Sequence, residues 1–248
     1  MDTLNRISPL QGQKAMVTGG SRGIGRAIAA TLMNCGVDVA ICGRNGEDLR
    51  KALEELPQQV RGEAKGKLVG QVCDVTDIEQ VRKFFTYADD TLGSLNILVN
   101  NAGVGVFRSV ADLSPEEWRM TLETNLTSVF HFCHFAVERF RKGRGGFIVN
   151  ISSLAGRNAF AGGAAYNASK FGLNGFSEAL MLDHRNDNVR VCTVMPGSVS
   201  TEFSGGHGVA DWKIQPEDVA EVVRGVLEMP ERTMVSRVEI RPSRPAKS

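Results

Sequence analysis

The chain has 248 residues, of which 42% are hydrophobic and 23% are charged, an ordinary balance for a globular protein. Its formal net charge of +1 provides no overall field that would attract nucleic acid or a membrane surface, so neither partner is expected. The N-terminus lacks the pattern of a signal peptide, and no apolar run approaches the roughly 20 residues that span a bilayer. Five cysteines without a C-x-x-C pair indicate reduced thiols in a cytoplasmic protein rather than a disulfide framework.

Short β-branched runs alternate with longer amphipathic segments along the chain. The predicted strands are residues 14–18, 38–42, 67–72, 97–100, 146–151, 190–195 and, less regular, 235–240. The predicted helices are residues 23–35, 47–56, 78–92, 115–141, 164–185 and 216–228. Asp77 and Ser114 precede two of these helices as capping residues. Because alternating strands and helices form a parallel sheet covered on both faces, the pattern predicts one doubly wound, Rossmann-type α/β domain over residues 1–248, with about seven parallel strands.

The first predicted strand leads into a glycine-rich turn at the start of the first predicted helix. The turn reads Thr18-Gly19-Gly20-Ser21-Arg22-Gly23-Ile24-Gly25. Glycines permit a tight turn and let backbone N–H groups approach a pyrophosphate, while the helix N-terminus adds about half a positive charge. At the first strand–helix junction of an alternating chain, such a turn predicts a dinucleotide-binding site.

The same turn contains G-x-S-x-G, the pattern of the nucleophile elbow in serine hydrolases, with Ser21 as the nucleophile. This interpretation is disfavoured because the elbow needs an oxyanion loop from an earlier strand, and only eighteen residues precede Gly19. The elbow also needs a histidine. The histidines of this chain fall in predicted helices or in a glycine-rich loop: His131, His134, His184 and His207. The hydrolase is therefore the lesser alternative.

The segment after the second predicted strand favours NADP(H) over NAD(H). Enzymes that use NAD usually place an acidic residue about 20 residues beyond the glycine turn, where it binds the ribose hydroxyls. This chain instead has Gly43, Arg44 and Asn45 at that position. We expect Arg44 and Arg22 to hold a 2′-phosphate, which planar guanidinium groups bind well. The sequence therefore predicts NADP(H) as the cofactor.

Tyr166 and Lys170 are four residues apart in a predicted helix, so their side chains share one face. The pKa of a free tyrosine is about 10, and a nearby lysine ammonium favours the tyrosinate. The pair can therefore supply an acid/base group together with the group that adjusts its pKa. Both residues follow the fifth predicted strand, at the edge where a doubly wound sheet binds its ligand. Ser153 lies just beyond the end of the same strand, and its neighbour Ser152 is less favoured.

From the glycine turn onward, the chain resembles the short-chain dehydrogenase/reductase family, whose turn has the form T-G-x-x-x-G-x-G. The matching segments occur in order along nearly the whole chain: Asp74, Asn100-Asn101-Ala102-Gly103, Asn125, Ser153, Tyr166-Asn167-Ala168-Ser169-Lys170 and Pro196-Gly197. The nearest similarity is to 3-oxoacyl-acyl-carrier-protein reductases and related carbonyl reductases. The segment Val238-Glu239-Ile240-Arg241-Pro242 lacks the glycine-rich, methionine-containing ending usual in the first group. A general ketone or aldehyde reductase is therefore an equal expectation.

The resemblance implies roles for individual residues. Tyr166 would exchange the proton, and Ser153 would orient the substrate carbonyl. Lys170 would hold the ribose hydroxyls and be linked to solvent by a water that Asn125 orders. Asp74 would bind the adenine amine. The full set implied to bind the cofactor is Gly19, Ser21, Arg22, Gly23, Ile24, Gly25, Arg44, Asp74, Val75, Asn101, Ala102, Gly103, Tyr166, Lys170, Pro196, Gly197, Val199 and Thr201.

These features predict an NADP(H)-dependent oxidoreductase that interconverts a carbonyl (ketone, aldehyde or 3-oxoacyl thioester) and an alcohol by hydride transfer. A non-catalytic NADP(H)-binding regulator is the alternative, although a regulator would not need Ser153, Tyr166 and Lys170 together. The substrate is expected to meet the glycine-rich loop 202–214, which is either a lid or a surface loop. The residues expected to line its pocket are Phe107, Leu154, Asn158, Phe160, Phe203 and Trp212.

The chain is expected to form a homodimer or homotetramer. The resemblance implies association through the two longest predicted helices, and both have wide apolar faces. His131, His134 and Glu138 could together seat a metal ion on one helix face. Packing against another subunit is the favoured role of these histidines, so no metal is predicted. The basic segment 241–248 is expected to be a frayed terminus.

Overall fold

The computed structural model describes residues 8–61, 65–204 and 211–244. In this part of the chain there are seven strands: β1 (Lys14–Thr18), β2 (Asp38–Gly43), β3 (Leu68–Val72), β4 (Ile97–Asn100), β5 (Gly146–Ile151), β6 (Val189–Pro196) and β7 (Arg237–Ile240). They are parallel and lie in one sheet in the order β3-β2-β1-β4-β5-β6-β7. The predicted doubly wound α/β fold is therefore confirmed.

Helices cover both faces of the sheet. The α-helices of the described residues are α1 (Gly23–Asn34), α2 (Gly46–Gln59), α3 (Ile78–Leu92), α4 (Pro115–Leu122), α5 (Ser128–Lys142), α6 (Ala164–His184) and α7 (Pro216–Leu227). Because side chains alternate along a strand, neighbouring residues of β1 enter different cores. Val17 lies in one core with Ile28 of α1 and Val223 of α7. Met16 lies in the other core, with Phe84 of α3.

The sequence predicts a single helix over residues 115–141, and this prediction is wrong. A π-helical turn at Glu123–Thr127 separates α4 from α5. Asn125, within this turn, is fully buried, and its side-chain amide bonds to the backbone of the loop after β4. Val104 N donates to Asn125 Oδ1 over 2.8 Å, and Asn125 Nδ2 donates to Val104 O over 2.9 Å. Single π-helical turns within α-helices are frequent at functional sites.

Two helices begin at the capping residues that the sequence indicates. The carboxylate of Asp77 accepts the backbone N–H of Glu79 at the start of α3, over 2.9 Å. Ser114 and Glu117 form a reciprocal capping box at the start of α4, where Pro115 occupies the first helical position. Each cap satisfies backbone donors that the first turn of a helix leaves free.

A buried pair of amide side chains joins β4 and β5. Asn100 of β4 and Asn150 of β5 are register partners. Asn100 Nδ2 donates to Asn150 Oδ1 over 2.8 Å, and Asn150 Nδ2 donates to the hydroxyl of Ser177 in α6 over 2.8 Å. All three side chains are buried. These bonds fix α6 against the ends of β4 and β5.

Three further predictions concern the cysteines, membrane-spanning segments and the number of domains. All five cysteines are free thiols, and four of them are buried. Within residues 8–61, 65–204 and 211–244, no helix has both the length and the apolar character needed to cross a membrane. Organisation as one domain over residues 1–248 stays a prediction.

Replacing Asn150 by alanine is expected to lower the free energy of unfolding by about 2 kcal/mol, because Asn100 Nδ2 and the Ser177 hydroxyl lose a buried partner. Urea unfolding followed by circular dichroism measures the change. Gln59→Ala, on the exposed surface at the end of α2, serves as the control and should stay within about 0.5 kcal/mol of the wild type. An Asn150→Ala variant as stable as this control would show that the amide pair does not hold the strands together.

Candidate active site

A cavity of about 1160 Å³ lies at the carboxyl ends of the central strands, where the strand order reverses. It brings together residues that are widely separated in the sequence. The predicted site residues that line it are Gly19, Ser21, Arg22, Gly23, Ile24, Arg44, Val75, Asn101, Ala102, Gly103, Ser153, Tyr166, Lys170, Pro196, Gly197, Val199 and Thr201. Three other predicted residues, Gly25, Asp74 and Asn125, do not line the cavity.

The glycine turn has a backbone that other residues would strain. Gly19 has a φ of +63° and Gly23 a φ of +54°, both in the left-handed region. Gly25 is needed for a different reason: a Cβ there would clash with the carbonyl oxygen of Gly19 and with the side-chain amide of Asn101. Gly25 therefore lets α1 pack closely against the turn, and its contact with a cofactor stays a prediction.

Thr18 and Asn101 fasten the glycine turn to the loop after β4. The hydroxyl oxygen of Thr18 accepts the backbone N–H groups of Asn101 and Ala102, over 2.9 and 3.0 Å. In return, Asn101 Nδ2 donates to the carbonyl oxygens of Thr18 and Gly19, over 3.0 and 3.2 Å. Thr18 is the first residue of the T-G-x-x-x-G-x-G motif, and no role was predicted for it.

Two arginines stand at one end of the cavity, near the carboxyl end of β2. Arg22 is the N-cap residue of α1, and Arg44 follows β2 directly. Both side chains are exposed and line the cavity. No acidic residue occupies the end of β2, which terminates at Gly43. This end of the cavity therefore offers guanidinium groups to an anion.

Asp74 makes its hydrogen bonds within the segment between β3 and α3, and it does not line the cavity. One of its carboxylate oxygens accepts both the backbone N–H and the hydroxyl of Thr76, over 3.0 and 2.8 Å. Its backbone N–H donates to Gln80 Oε1 of α3. The neighbouring Val75 lines the cavity instead. In this structure Asp74 organises the loop between β3 and α3, and its contact with adenine stays a prediction.

The ammonium of Lys170 is buried beneath Tyr166. Lys170 Nζ donates to the carbonyl oxygen of Ile151, at the end of β5, over 3.0 Å. It lies 5.8 Å from the centre of the Tyr166 ring. Burial disfavours the charged ammonium and lowers the pKa of Lys170 from its ordinary value of 10.5 to about 8. The side chain can therefore change its charge close to neutral pH.

Burial has the opposite effect on Tyr166, because the charged form of a tyrosine is the deprotonated one. It raises the pKa of Tyr166, while the hydrogen bond with the Ser153 hydroxyl lowers it. Near neutral pH Tyr166 is thus held in the protonated state, which can donate a proton. Lys170 is not among the groups that shift the pKa of Tyr166, and the expected lowering of this pKa by Lys170 stays a prediction.

Ser153, rather than Ser152, is the serine associated with Tyr166. Its hydroxyl oxygen accepts the backbone N–H of Ala155 over 3.1 Å, which fixes the side chain just beyond β5. The hydroxyl of Ser152 is buried and donates to Asn174 Oδ1 over 2.6 Å. The structure therefore favours Ser153 by the direction of its side chain as well as by its spacing from Tyr166.

Asn125 positions other groups and does not reach the cavity. Besides its two bonds to Val104, its amide nitrogen donates to the hydroxyl oxygen of Ser169 over 3.1 Å. The Ser169 hydroxyl in turn donates to the carbonyl oxygen of Tyr166 over 2.7 Å. Both amide protons of Asn125 are thereby used within the protein. Its role in ordering a water stays a prediction, and its observed role is to connect the π-helical turn with α6.

The substrate end of the cavity contains every wall residue that the sequence indicates: Phe107, Leu154, Asn158, Phe160, Phe203 and Trp212. Of the loop 202–214, residues 205–210 lie outside the described residues, and His207 with them. The two ends of the loop meet, since Ser200 N donates to Ile214 O over 2.8 Å and Ile214 N donates to Ser198 O over 3.1 Å. The two alternatives for this loop, a lid and a surface loop, both stay predictions.

Sequence analysis missed several lining residues: Asn45, Asp48, Ser198, Lys213, Arg241 and Pro242. Arg241 and Pro242 belong to the segment that was expected to fray, and that expectation is wrong for them. Arg241 pairs with Glu239 over 2.8 Å and lines the cavity. Because β7 lies at the edge of the sheet next to β6, the segment after it passes the end of β6. Residues 245–248 lie outside the described residues.

The alternatives considered above have no support in the described residues. No described histidine lines the cavity beside Ser21, and His184 instead bonds to Asp187 over 2.8 Å at the far end of α6. His131 and His134 contact the ring of Phe130. Within the described ranges no cluster of three or more His, Cys, Asp or Glu side chains could hold a metal ion.

Comparison with known proteins identifies a family. The model described as "short chain dehydrogenase" matches residues 13–209. A 3-oxoacyl-acyl-carrier-protein reductase of Chlamydia muridarum is 35% identical over 199 residues, which are 80% of this chain and 79% of the relative. An alcohol dehydrogenase from the archaeon Thermococcus sibiricus, solved with 5-hydroxy-NADP, superposes with a TM-score of 0.86 at 28% identity, covering 95% of this chain and 99% of the other. A metagenomic short-chain oxidoreductase solved with NADP gives a TM-score of 0.82 at 35% identity, with coverage of 95% and 99%.

Lys170→Met is expected to stabilise the chain without cofactor by about 2 kcal/mol near pH 7, because it removes a buried charge at the cost of one hydrogen bond. Since the pKa of Lys170 is lowered on folding, the unfolded chain binds more protons between about pH 8 and 10.5. The stability of the wild type should therefore rise with pH through this window, and the advantage of the variant should disappear above it. Urea unfolding at several pH values measures both.

The control for this measurement is Lys83→Met, which replaces an exposed lysine of α3. It should keep the pH dependence of the wild type. A Lys170→Met variant that is less stable than the wild type near pH 7 would contradict the burial cost assigned to the ammonium.

Proposed function

The chain is an oxidoreductase of the short-chain dehydrogenase family, and we propose that it transfers hydride between NADP(H) and a ketone, aldehyde or 3-oxoacyl thioester. The observation that carries this proposal is that Ser153, Tyr166 and Lys170 line the same cavity as the glycine turn. A protein that only sensed the nucleotide would have no use for this combination of groups.

The chemistry of the cavity fits a dinucleotide that carries a phosphate on its ribose. The side chain of Arg22, at the N-cap of α1, makes no hydrogen bond to the first turn of the helix, so the N–H groups there can bind a pyrophosphate. Arg22 and Arg44 supply guanidinium groups for the 2′-phosphate. NADP or a derivative is bound in two of the solved relatives.

Three side chains perform the proposed reduction. Ser153 and Tyr166 donate hydrogen bonds to the carbonyl oxygen of the substrate and orient it. NADPH, when bound, supplies the hydride. Tyr166 releases its proton to the oxygen as negative charge develops there, and a group that stays protonated until then suits this task. Lys170 would hold the nicotinamide ribose, and its ammonium would stabilise the tyrosinate that remains.

Self-association is proposed for the faces of α5 and α6 that carry exposed apolar side chains. Phe130 on α5 and Phe171 and Leu182 on α6 are among the most exposed large apolar residues of the described chain. Exposed apolar surface at facing helices can mark an interface, and symmetric homo-oligomers are the commonest assemblies. We therefore propose a homodimer or homotetramer. Residence in the cytoplasm also stays a proposal.

Arg44→Ala is expected to raise the dissociation constant of NADPH about tenfold or more and to leave that of NADH unchanged, because only NADPH has the 2′-phosphate. Titration followed by nicotinamide fluorescence measures both constants. Arg50→Ala, which removes an exposed arginine of α2 outside the cavity, is the matched control. If Arg44→Ala weakened the binding of NADPH and of NADH equally, Arg44 would have a structural role. If the wild type bound NADH more tightly than NADPH, the proposed cofactor preference would be overturned.

Tyr166→Phe is expected to lower kcat/KM for ketone reduction by about 10²- to 10⁴-fold, because the proton donor is removed. Its dissociation constant for NADPH should change little. The control is Tyr87→Phe, at the only other tyrosine of the chain. Retention of most of the turnover by Tyr166→Phe would refute the proposed mechanism, and NADPH binding without turnover of any carbonyl substrate would favour the regulator.

A further inference from the structure

Phenylalanine side chains are concentrated and exposed at the substrate end of the cavity. Phe107, Phe160 and Phe203 are 44%, 45% and 44% exposed, and all three line the cavity. We call these three residues the aromatic wall. Leaving such side chains in water is unfavourable, so a group of them at a cavity marks a surface that becomes covered when a ligand binds.

Two rings of the aromatic wall lie beside Tyr166, whose hydroxyl group gives up the proton in the proposed reaction. The ring of Phe107 stands edge-on to Tyr166, with centroids 5.5 Å apart and an interplanar angle of 69°. The ring of Phe203 also lies near Tyr166, with centroids 5.9 Å apart. Phe160 extends the wall, 5.9 Å from Phe107. All of these spacings are typical of interacting aromatic pairs. A carbonyl group that reaches Tyr166 therefore has its substituents beside aromatic rings.

Two glycines make room for these rings. A Cβ at Gly105 would lie 2.7 Å from Cε1 of Phe203 and 2.9 Å from Cζ of Phe107. A Cβ at Gly163 would lie 2.7 Å from the ring of Phe160. Neither glycine has a positive φ. A side chain at either position would therefore be opposed by lack of space beside the aromatic wall, and not by the backbone conformation.

Two basic side chains that line the cavity have partners within the chain. Arg241 pairs with Glu239 over 2.8 Å. Lys213 Nζ lies over the ring of Trp212, 5.8 Å from its centre. Next to Tyr166, the aromatic wall presents only carbon to a ligand. A neutral, flat group suits this surface better than a charged or extended one, because aromatic pairs gain an attraction beyond that of buried area alone.

We propose that the aromatic wall binds an aromatic ring attached to the reacting carbonyl, so that the substrates are aryl ketones and the products are the matching secondary alcohols. This proposal rests on the proposed function. In the reaction the carbonyl carbon of the aryl ketone accepts hydride from NADPH, and the C=O π bond opens. The oxygen takes the proton of Tyr166, which solvent then replaces. NADP⁺ and the benzylic alcohol leave.

The first experiment compares two methyl ketones with the same number of carbons, acetophenone and 2-octanone, in NADPH-dependent reduction by the full chain. We expect kcat/KM for acetophenone to be about tenfold higher or more, a difference that several aromatic contacts can supply. The acetoacetyl thioester of N-acetylcysteamine is the third substrate and should be poorer than acetophenone. A preference for 2-octanone or for the thioester overturns the proposal.

Variants then test whether the aromatic wall causes the preference. Phe107→Ala and Phe160→Ala should each lower kcat/KM for acetophenone about tenfold and change that for 2-octanone much less. Gly105→Ala, which pushes on two rings without removing either, should act in the same direction. Met229→Ala is the control, since it removes an exposed apolar side chain outside the cavity. Equal losses on both ketones would assign the rings a structural role and contradict the proposal.

A binding measurement separates this proposal from the proposed function. Calorimetric titration of the complex with NADP⁺, which cannot reduce a ketone, should show tighter binding of acetophenone than of 2-octanone. Absence of NADPH and NADP⁺ binding would overturn the proposed function, and the substrate class with it. Cofactor binding with reduction of both ketones at equal rates, or with equal affinity of the NADP⁺ complex for both ketones, would overturn the substrate class alone.

Discussion

Thr18 and Asn101 join two loops that are adjacent in the sheet and 83 residues apart in the chain. They lie where β1 meets β4, the pair of strands at which the strand order reverses. Since the connections leave these two strands toward opposite faces, a crevice opens between the loops. The hydrogen bonds across it keep the glycine turn at a fixed distance from the loop after β4. Loss of these hydrogen bonds would separate the glycine turn from the residues that line the rest of the cavity.

Burial acts on the pKa values of Tyr166 and Lys170 in opposite directions. It raises the pKa of Tyr166 and lowers that of Lys170 to about 8. The chain therefore holds a protonated phenol next to an ammonium that loses its proton at about pH 8. This arrangement lowers the stability of the folded chain, a common consequence of functional groups placed in a protein interior. The carbonyl oxygen of Ile151 offsets part of the cost.

Short-range patterns in the sequence were enough to locate most of the fold and most of the cavity. The bounds of β1, β4 and α3 match their predictions because period, length and capping signals are local. The sequence does not indicate the π-helical turn, because the contact found there, between Asn125 and Val104, is tertiary and leaves no mark on a helical period. Arg241 was missed for a similar reason. Its place at the cavity follows from the position of β7 in the sheet, which only long-range pairing determines.

The π-helical turn also sets the number of residues that the connection between β4 and β5 must have. Each residue of a regular helix advances the chain by about 100° around the axis. Deleting one residue within Glu123–Thr127 would restore a continuous helix and rotate α4 and α5 relative to each other by about that angle. The amide of Asn125 would then face away from the loop it now holds. In proteins that evolve from this chain, we therefore expect substitutions in this segment to outnumber insertions and deletions. Side chains can be exchanged there, whereas the number of residues cannot change.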